Sequence, residues 1–195
     1  MGTTSFFNKK MNHFPSGWML LLAFFLLGTF LSFSQTTIWS ENFNSYANDT
    51  QNGTATGPSS SSWTTNGGNR LSVRNNSLRG SNLDAQRTWQ VNPIDITGYD
   101  YINFSMDTWV DDPDDMENGS DYMIGEYRVD GGSWQEFVNA SGSNSDPLNP
   151  SYGFGFPNTG NSTLEIRVRM DNNMTNEQYF IDNATVEATS GICNG

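Results

Sequence analysis

Tyr101–Val110 reads YINFSMDTWV. Ile102, Phe104, Met106, Thr108 and Val110 alternate with Tyr101, Asn103, Ser105, Asp107 and Trp109. That is the period of two expected of a strand with one face buried and the other in water. Downstream, Met123, Gly125, Tyr127 and Val129 alternate with Tyr122, Ile124, Glu126 and Arg128. Asp130-Gly131-Gly132 then turns the chain into SWQEFV, a hairpin signal. Leu164, Ile166, Val168 and Met170 alternate with Glu165, Arg167 and Arg169, giving a half-solvated strand with an Arg-lined outer face. Upstream, Trp89 and Val91 precede a break at Pro93, after which Ile94 and Ile96 resume, and Trp39, Glu41 and Phe43 share one face of TIWSENF. QYFIDNATVEA supplies a last strand. No apolar stripe of helical period follows Gln35. Turn-rich stretches at 48–62, 66–69, 111–120, 139–151 and 157–162 separate the strands, and residues 48–62 (NDTQNGTATGPSSSS) read as mobile surface. About eight to ten strands with such punctuation predict an all-β, antiparallel β-sandwich of jelly-roll type.

The 195 residues suit one domain of that kind. Residues 1–34 read as a secretory signal peptide. Lys9 and Lys10 form a basic start, Trp18–Leu31 an apolar run, and Ser32-Phe33-Ser34 a small-x-small site before Gln35. The run is too short for a membrane span of about 20 apolar residues. The expected organisation is therefore signal peptide 1–34, β-sandwich 35–189 and tail 190–195, in a protein that is secreted or held at the cell surface with no span after processing. His13, Lys9 and Lys10 are the chain's only His and Lys, all inside the removed segment. What remains carries 7 Arg against 21 acids, a charge of −14. Ser-His-Asp and Cys-His catalysis, His-ligated zinc and Schiff-base lysines are excluded with them. The acidity argues against a nucleic-acid partner. Cys193 is the single cysteine, so no internal disulfide staples the fold.

Four stretches carry a resemblance. IWSENFNSY at the start and YFIDNATVEA at the end resemble the first and last strands of carbohydrate-binding-module-type jelly rolls, a group that includes modules on secreted proteins of Bacteroidetes-type bacteria. Between them, Trp89–Tyr99 (WQVNPIDITGY) and Ser120–Phe137 (SDYMIGEYRVDGGSWQEF) resemble a strand pair and a hairpin of the same modules. The resemblance implies that the end strands are neighbours. It also implies that a Glu from the first and an Asp from the last help hold a structural Ca²⁺. The matching positions are Glu41 and Asp182, with Asn44 a further oxygen donor. The alternatives are an ion pair for Glu41 and a turn cap for Asp182.

Asp111–Asp121 packs six carboxylates into eleven residues without matching an EF-hand loop. It reads either as a solvated tip, which Pro113 and Asn118-Gly119 favour, or as a second Ca²⁺ site. Sugar recognition needs exposed aromatic faces beside hydrogen-bonding side chains. Trp63 follows a Ser run, Trp109 ends a strand beside the acidic loop, and Tyr152, Phe154 and Phe156 sit in a Gly-rich segment. Trp63, Trp109 and Tyr152 are the ligand-binding candidates, each against the alternative of core packing. The leading expectation is a non-catalytic module binding polysaccharide or a cell-surface glycan. The alternatives are a carboxylate-based polysaccharide-degrading enzyme of jelly-roll type and a surface adhesion protein with a protein partner.

Overall fold

The computed structural model describes residues 34–111, 117, 119–141 and 151–191. Residues 1–33 of the segment read as a signal peptide, Cys193 and most of the acidic run lie outside them. The described chain forms twelve strands and one 3-10 turn, Gly68–Arg70. In chain order the strands are β1 (Ser34–Glu41), β2 (Asn52–Thr54), β3 (Ser62–Thr65), β4 (Leu71–Arg74), β5 (Ser77–Ser81) and β6 (Arg87–Asp95). There follow β7 (Tyr101–Val110), β8 (Tyr122–Val129), β9 (Gln135–Ser141), β10 (Ser151–Pro157), β11 (Thr163–Asp171) and β12 (Gln178–Ser190). All pairings are antiparallel and sort into two six-stranded sheets. The first runs β10-β7-β12-β5-β4, with β1 also on β12; the second runs β2-β3-β6-β11-β8-β9. The all-β antiparallel sandwich read from the sequence is what forms.

β12 organises the first sheet because it is long enough to serve two partners on one edge. Gln178–Ile181 pair with β5, and Ala184–Ser190 pair with β1. The first and last strands are thus neighbours, as the resemblance implied. β7 lies along the other edge of β12, with a register shift between Asp182 and Thr185 where Asn183 adopts φ +49°. A residue in the left-handed region lets the strand bend at this bulge, and Asn tolerates it better than most residues. Asn92-Pro93 likewise occupies a shift between β6 and β11, so the break read at Pro93 is a bulge inside one continuous strand.

The inward residues interlock between the sheets. Trp39 meets Trp89 at 6.5 Å, and Phe43 meets Trp63 edge-on at 5.4 Å; all four are fully buried. At the β9/β10 edge, Phe154 stacks on Tyr127 at 4.0 Å and lies against Phe104 and Phe137. Residues 48–62 depart from the mobile surface expected of them. They contain β2, and the backbone N–H groups of Asp49, Ser59 and Thr56 donate to Val73, Ile38 and Ser40. Their Ser, Thr and Gly content marks a segment held by backbone bonds, with few apolar side chains of its own.

The outer face of the second sheet closes on itself. Glu126, nearly buried, accepts from the Nε of both Arg167 and Arg169 at 2.7 Å, and Glu165 takes a two-pronged bond from Arg128. The Arg128 and Arg167 guanidinium carbons lie 4.6 and 4.1 Å from the Trp134 ring centroid. Burial pushes the Glu126 carboxyl up, but the two Arg hydrogen bonds outweigh it and hold it below the ordinary carboxylate value.

Candidate functional site

The outer face of the first sheet is built differently. Trp109 on β7 and Phe180 on β12 are register partners, and their rings stack in parallel at 4.9 Å and 2°. Arg79 on β5 is the next cross-strand neighbour of Phe180. One face of the indole is covered by Phe180, yet Trp109 stays 40% exposed. Two residues along, Asp107 and Asp182 are partners. Asn183 joins them, its N–H donating to Asp182 Oδ1 at 2.7 Å and its Nδ2 to Asp107 Oδ2 at 2.8 Å. Burial pushes the Asp182 carboxyl up, with the nearby charges of Asp107 and Glu41 adding to it and the Asn183 N–H opposing. At the far end of β7, Tyr101 is 43% exposed and lies across Gly155, where a Cβ would strike its hydroxyl. Tyr101 and Trp109 share a face eight residues apart, about 27 Å along the strand.

This face therefore offers two exposed aromatics bordering a strip of carboxylates and amides. Beside it, Ser40, Asn42, Ser45, Tyr46, Thr54 and Thr56 line a cleft of about 150 Å³. Small-molecule pockets begin at about 300 Å³, so the exposed strip is the more capacious recognition surface.

Of the sequence-based candidates, Trp109 stands on this face. Trp63 does not: it is fully buried and donates its Nε1–H to Glu41 Oε2 at 2.6 Å. Tyr152 lies opposite Met106 on the core side of β10, with Phe154 and Phe156 opposite Phe104 and Ile102. The alternation in SYGFGFP turns the glycines outward and the aromatics in. Sequence reasoning missed Phe180, Asp107 and Tyr101: Tyr101 and Asp107 stand in the same outer half of the β7 alternation as Trp109, whereas Phe180 reaches Trp109 only through the β7–β12 pairing.

The resemblance's calcium set fits poorly. Glu41 Oε1 accepts from the Phe43 N–H at 2.7 Å, and Oε2 accepts from Trp63 and from the Tyr46 hydroxyl at 2.9 Å. Three donors aimed at its two oxygens show a carboxylate already satisfied within the fold. Asp182 feels its charge from the neighbouring strand, while Asn44 is exposed and spends its N–H on Asn42.

A different acidic set converges at one end of the sandwich. Single carboxylate oxygens of Glu117, Asp121 and Glu177 lie within 4.8 Å of one another, and this group could hold a metal ion. Glu117 is exposed, whereas Asp121 and Glu177 are fully buried.

No protein family and no curated protein matches the chain. Among the described residues, no helix is long and apolar enough to cross a membrane. Solved structures similar in outline include the K3 cleaved adhesin domain of Lys-gingipain from Porphyromonas gingivalis, at 8% identity and TM-score 0.46, covering 79% of this chain and 99% of that one. The CBM22-1 xylan-binding domain of Paenibacillus barcinonensis Xyn10C is similar at 10% identity and TM-score 0.42, covering 82% and 99%. The N-terminal cellulose-binding domain of Cellulomonas fimi β-1,4-glucanase C is similar at 9% identity and TM-score 0.43, covering 67% and 90%.

Proposed function

We propose that this protein is a secreted, non-catalytic β-sandwich module that binds a neutral polysaccharide across the outer face of its first sheet. The observation that carries the reading is the exposed Trp109, braced flat on Phe180 beside Asp107, Asp182 and Asn183. A sugar ring presents an apolar C–H face and a rim of hydroxyls. A fixed indole receives the first, and carboxylates and amides receive the second. Neutral glycans fit better than uronic or sulfated ones, because the strip's acids Asp107, Asp182 and Glu187 would repel an anionic chain. The separation of Trp109 and Tyr101 suits a polymer rather than a single sugar.

The test is retention of the purified protein on insoluble neutral polysaccharides, with the supernatants assayed for released sugar. Trp109→Ala is expected to weaken retention about tenfold or more, equivalent to about 1.4 kcal/mol, and Tyr101→Ala less. Trp134→Ala, on the opposite sheet, should leave retention unchanged. Wild-type retention by Trp109→Ala would refute the assigned face. Sugar release would favour the carboxylate-based enzyme, for which the partnered Asp107 and Asp182 are the pair to mutate. Neither retention nor release would shift the reading to a protein partner.

A further inference from the structure

Two buried carboxylate oxygens, Asp121 Oδ1 and Glu177 Oε1, have no hydrogen-bond partner. Their sister oxygens are well served. Asp121 Oδ2 accepts from the Glu117 N–H at 2.5 Å, and Glu177 Oε2 accepts from the N–H groups of Asn173 and Met174 at 2.9 and 2.8 Å. The backbone thus fixes each carboxylate so that one oxygen is left over. Both carboxylates are fully buried. A buried oxygen without a partner costs about 1–3 kcal/mol, and this fold holds two of them in one cluster with the Glu117 carboxylate.

Among the described residues, no base offsets the charge on Asp121. The charges acting on Asp121 are those of Glu177, Glu117 and Asp171, all of one sign, after the burial that raises its carboxyl most. Glu117 accepts from Ser120 and from Asn173 Nδ2, neutral donors both. Three acids gathered without an Arg are stable only if a proton or a cation joins them.

We infer that Glu117, Asp121 and Glu177 form a Ca²⁺ site, with Asp121 Oδ1 and Glu177 Oε1 as its buried ligands and Glu117 as the ligand at the solvent side. Oxygens bound to one Ca²⁺ at 2.3–2.6 Å lie no more than about 5.2 Å apart; one carboxylate oxygen from each of the three residues lies within 4.8 Å of the others. The all-carboxylate set, without His or Cys, selects a hard cation. Ca²⁺ accepts an irregular set of oxygens, whereas Mg²⁺ demands a near-ideal octahedron and keeps its water.

The position gives the ion a structural task. Asp121 immediately precedes β8 of the second sheet, and Glu177 immediately precedes β12 of the first. Asn172 reinforces the same junction, accepting from the Leu83 N–H and donating to the carbonyls of Gly80 and Glu177. An ion here ties the two sheets at the end where Trp109 and Phe180 stand. It does not depend on the glycan reading, and either can fail alone.

The experiment is calorimetric titration of the chelator-stripped protein with CaCl₂ alone, with melting followed in parallel. One equivalent should bind, and at a hundredfold excess over Kd the Tm should rise by about 5–10 °C. Asp121→Asn and Glu177→Gln should abolish both effects. Because each removes a buried uncompensated charge, they should melt in chelator no lower than the stripped wild type, which loss of a merely structural contact would not produce. Absence of Ca²⁺ binding by the wild type would overturn the site, whatever the variants do. So would binding that survives in both variants, or binding of Mg²⁺ in preference to Ca²⁺.

Discussion

At the scale of single residues, Glu41 shows how one side chain can be placed on its face by the sequence while its partners are not. Its burial followed from the alternation Trp39-Glu41-Phe43, and all three are indeed buried. Its partners did not, because Trp63 and Tyr46 arrive from other segments, 22 and 5 residues away. Burial, then the bond to Glu41, pushes the Tyr46 hydroxyl up, so the phenol remains a donor. Glu41→Ala would leave the Trp63 and Phe43 donors unpaired, while the Tyr46 hydroxyl keeps the Thr54 carbonyl, and should cost about 2 kcal/mol or more in urea unfolding. Trp63→Phe keeps a ring against Phe43 and Tyr46 but loses both the N–H and part of the buried indole volume, so it should itself cost on the order of 1–3 kcal/mol. The two should couple in a double-mutant cycle by about 1 kcal/mol. Simple additivity would show that the 2.6 Å bond contributes nothing. Trp63 itself was legible as an aromatic following a Ser run, but exposure is a property of what packs over it, and nothing local to the sequence records that.

At the scale of elements, the long strands announced themselves and the short ones did not. β7 alternates over most of its ten residues, and β8 and β11 do so on either side of one register shift each, where Gly125 and Glu126, and Leu164 to Ile166, are buried in succession. β2 to β5 are 3–5 residues long and rich in Ser, Thr and Gly, so their pairing is dictated by neighbours rather than by a pattern of their own. Bulges hide parity further: beside the shift at Thr37/Trp39, consecutive Ile38 and Trp39 are both buried. The bulge in β12 matters most for the candidate face, since it lets the strand change partner and sets Asn183 between Asp107 and Asp182. A β-branched residue cannot hold φ +49° without strain, so Asn183→Val should destabilise by about 1–2 kcal/mol or more. Asn183→Gly frees the backbone and loses only the Asp107 bond, and should fall within about 1 kcal/mol of wild type. Equal denaturation midpoints for the two variants would mean that the left-handed turn is not what this position supplies.

At the scale of the whole molecule, the two outer faces divide the charge unequally. The second sheet pairs its acids with Arg, and Glu126 is held below its ordinary value. The first sheet and its junction leave acids crowded together, so Asp121, Asp171 and Asp182 are all pushed up, in each case by burial before anything else. These groups set opposite pH dependences. A carboxyl raised in the folded state binds its proton more tightly there than in the unfolded chain. Its contribution is full below the unfolded value of about 3.9 and is lost as pH rises through the raised folded value. Glu126 works the other way: its contribution is present at neutral pH and is lost as pH falls through its lowered value. The formal charge of −12 adds repulsion that also eases on acidification. In chelator and low salt, thermal melting should therefore give a higher Tm at about pH 5 than at about pH 7.5, before acid unfolding sets in. Saturating Ca²⁺ should flatten this slope by holding Asp121 ionised at no cost, and Asp121→Asn should flatten it without Ca²⁺. A Tm that rises from about pH 5 to about pH 7.5 in chelator would mean that the paired acids of the second sheet, and not the crowded ones at the junction, govern the stability of the sandwich.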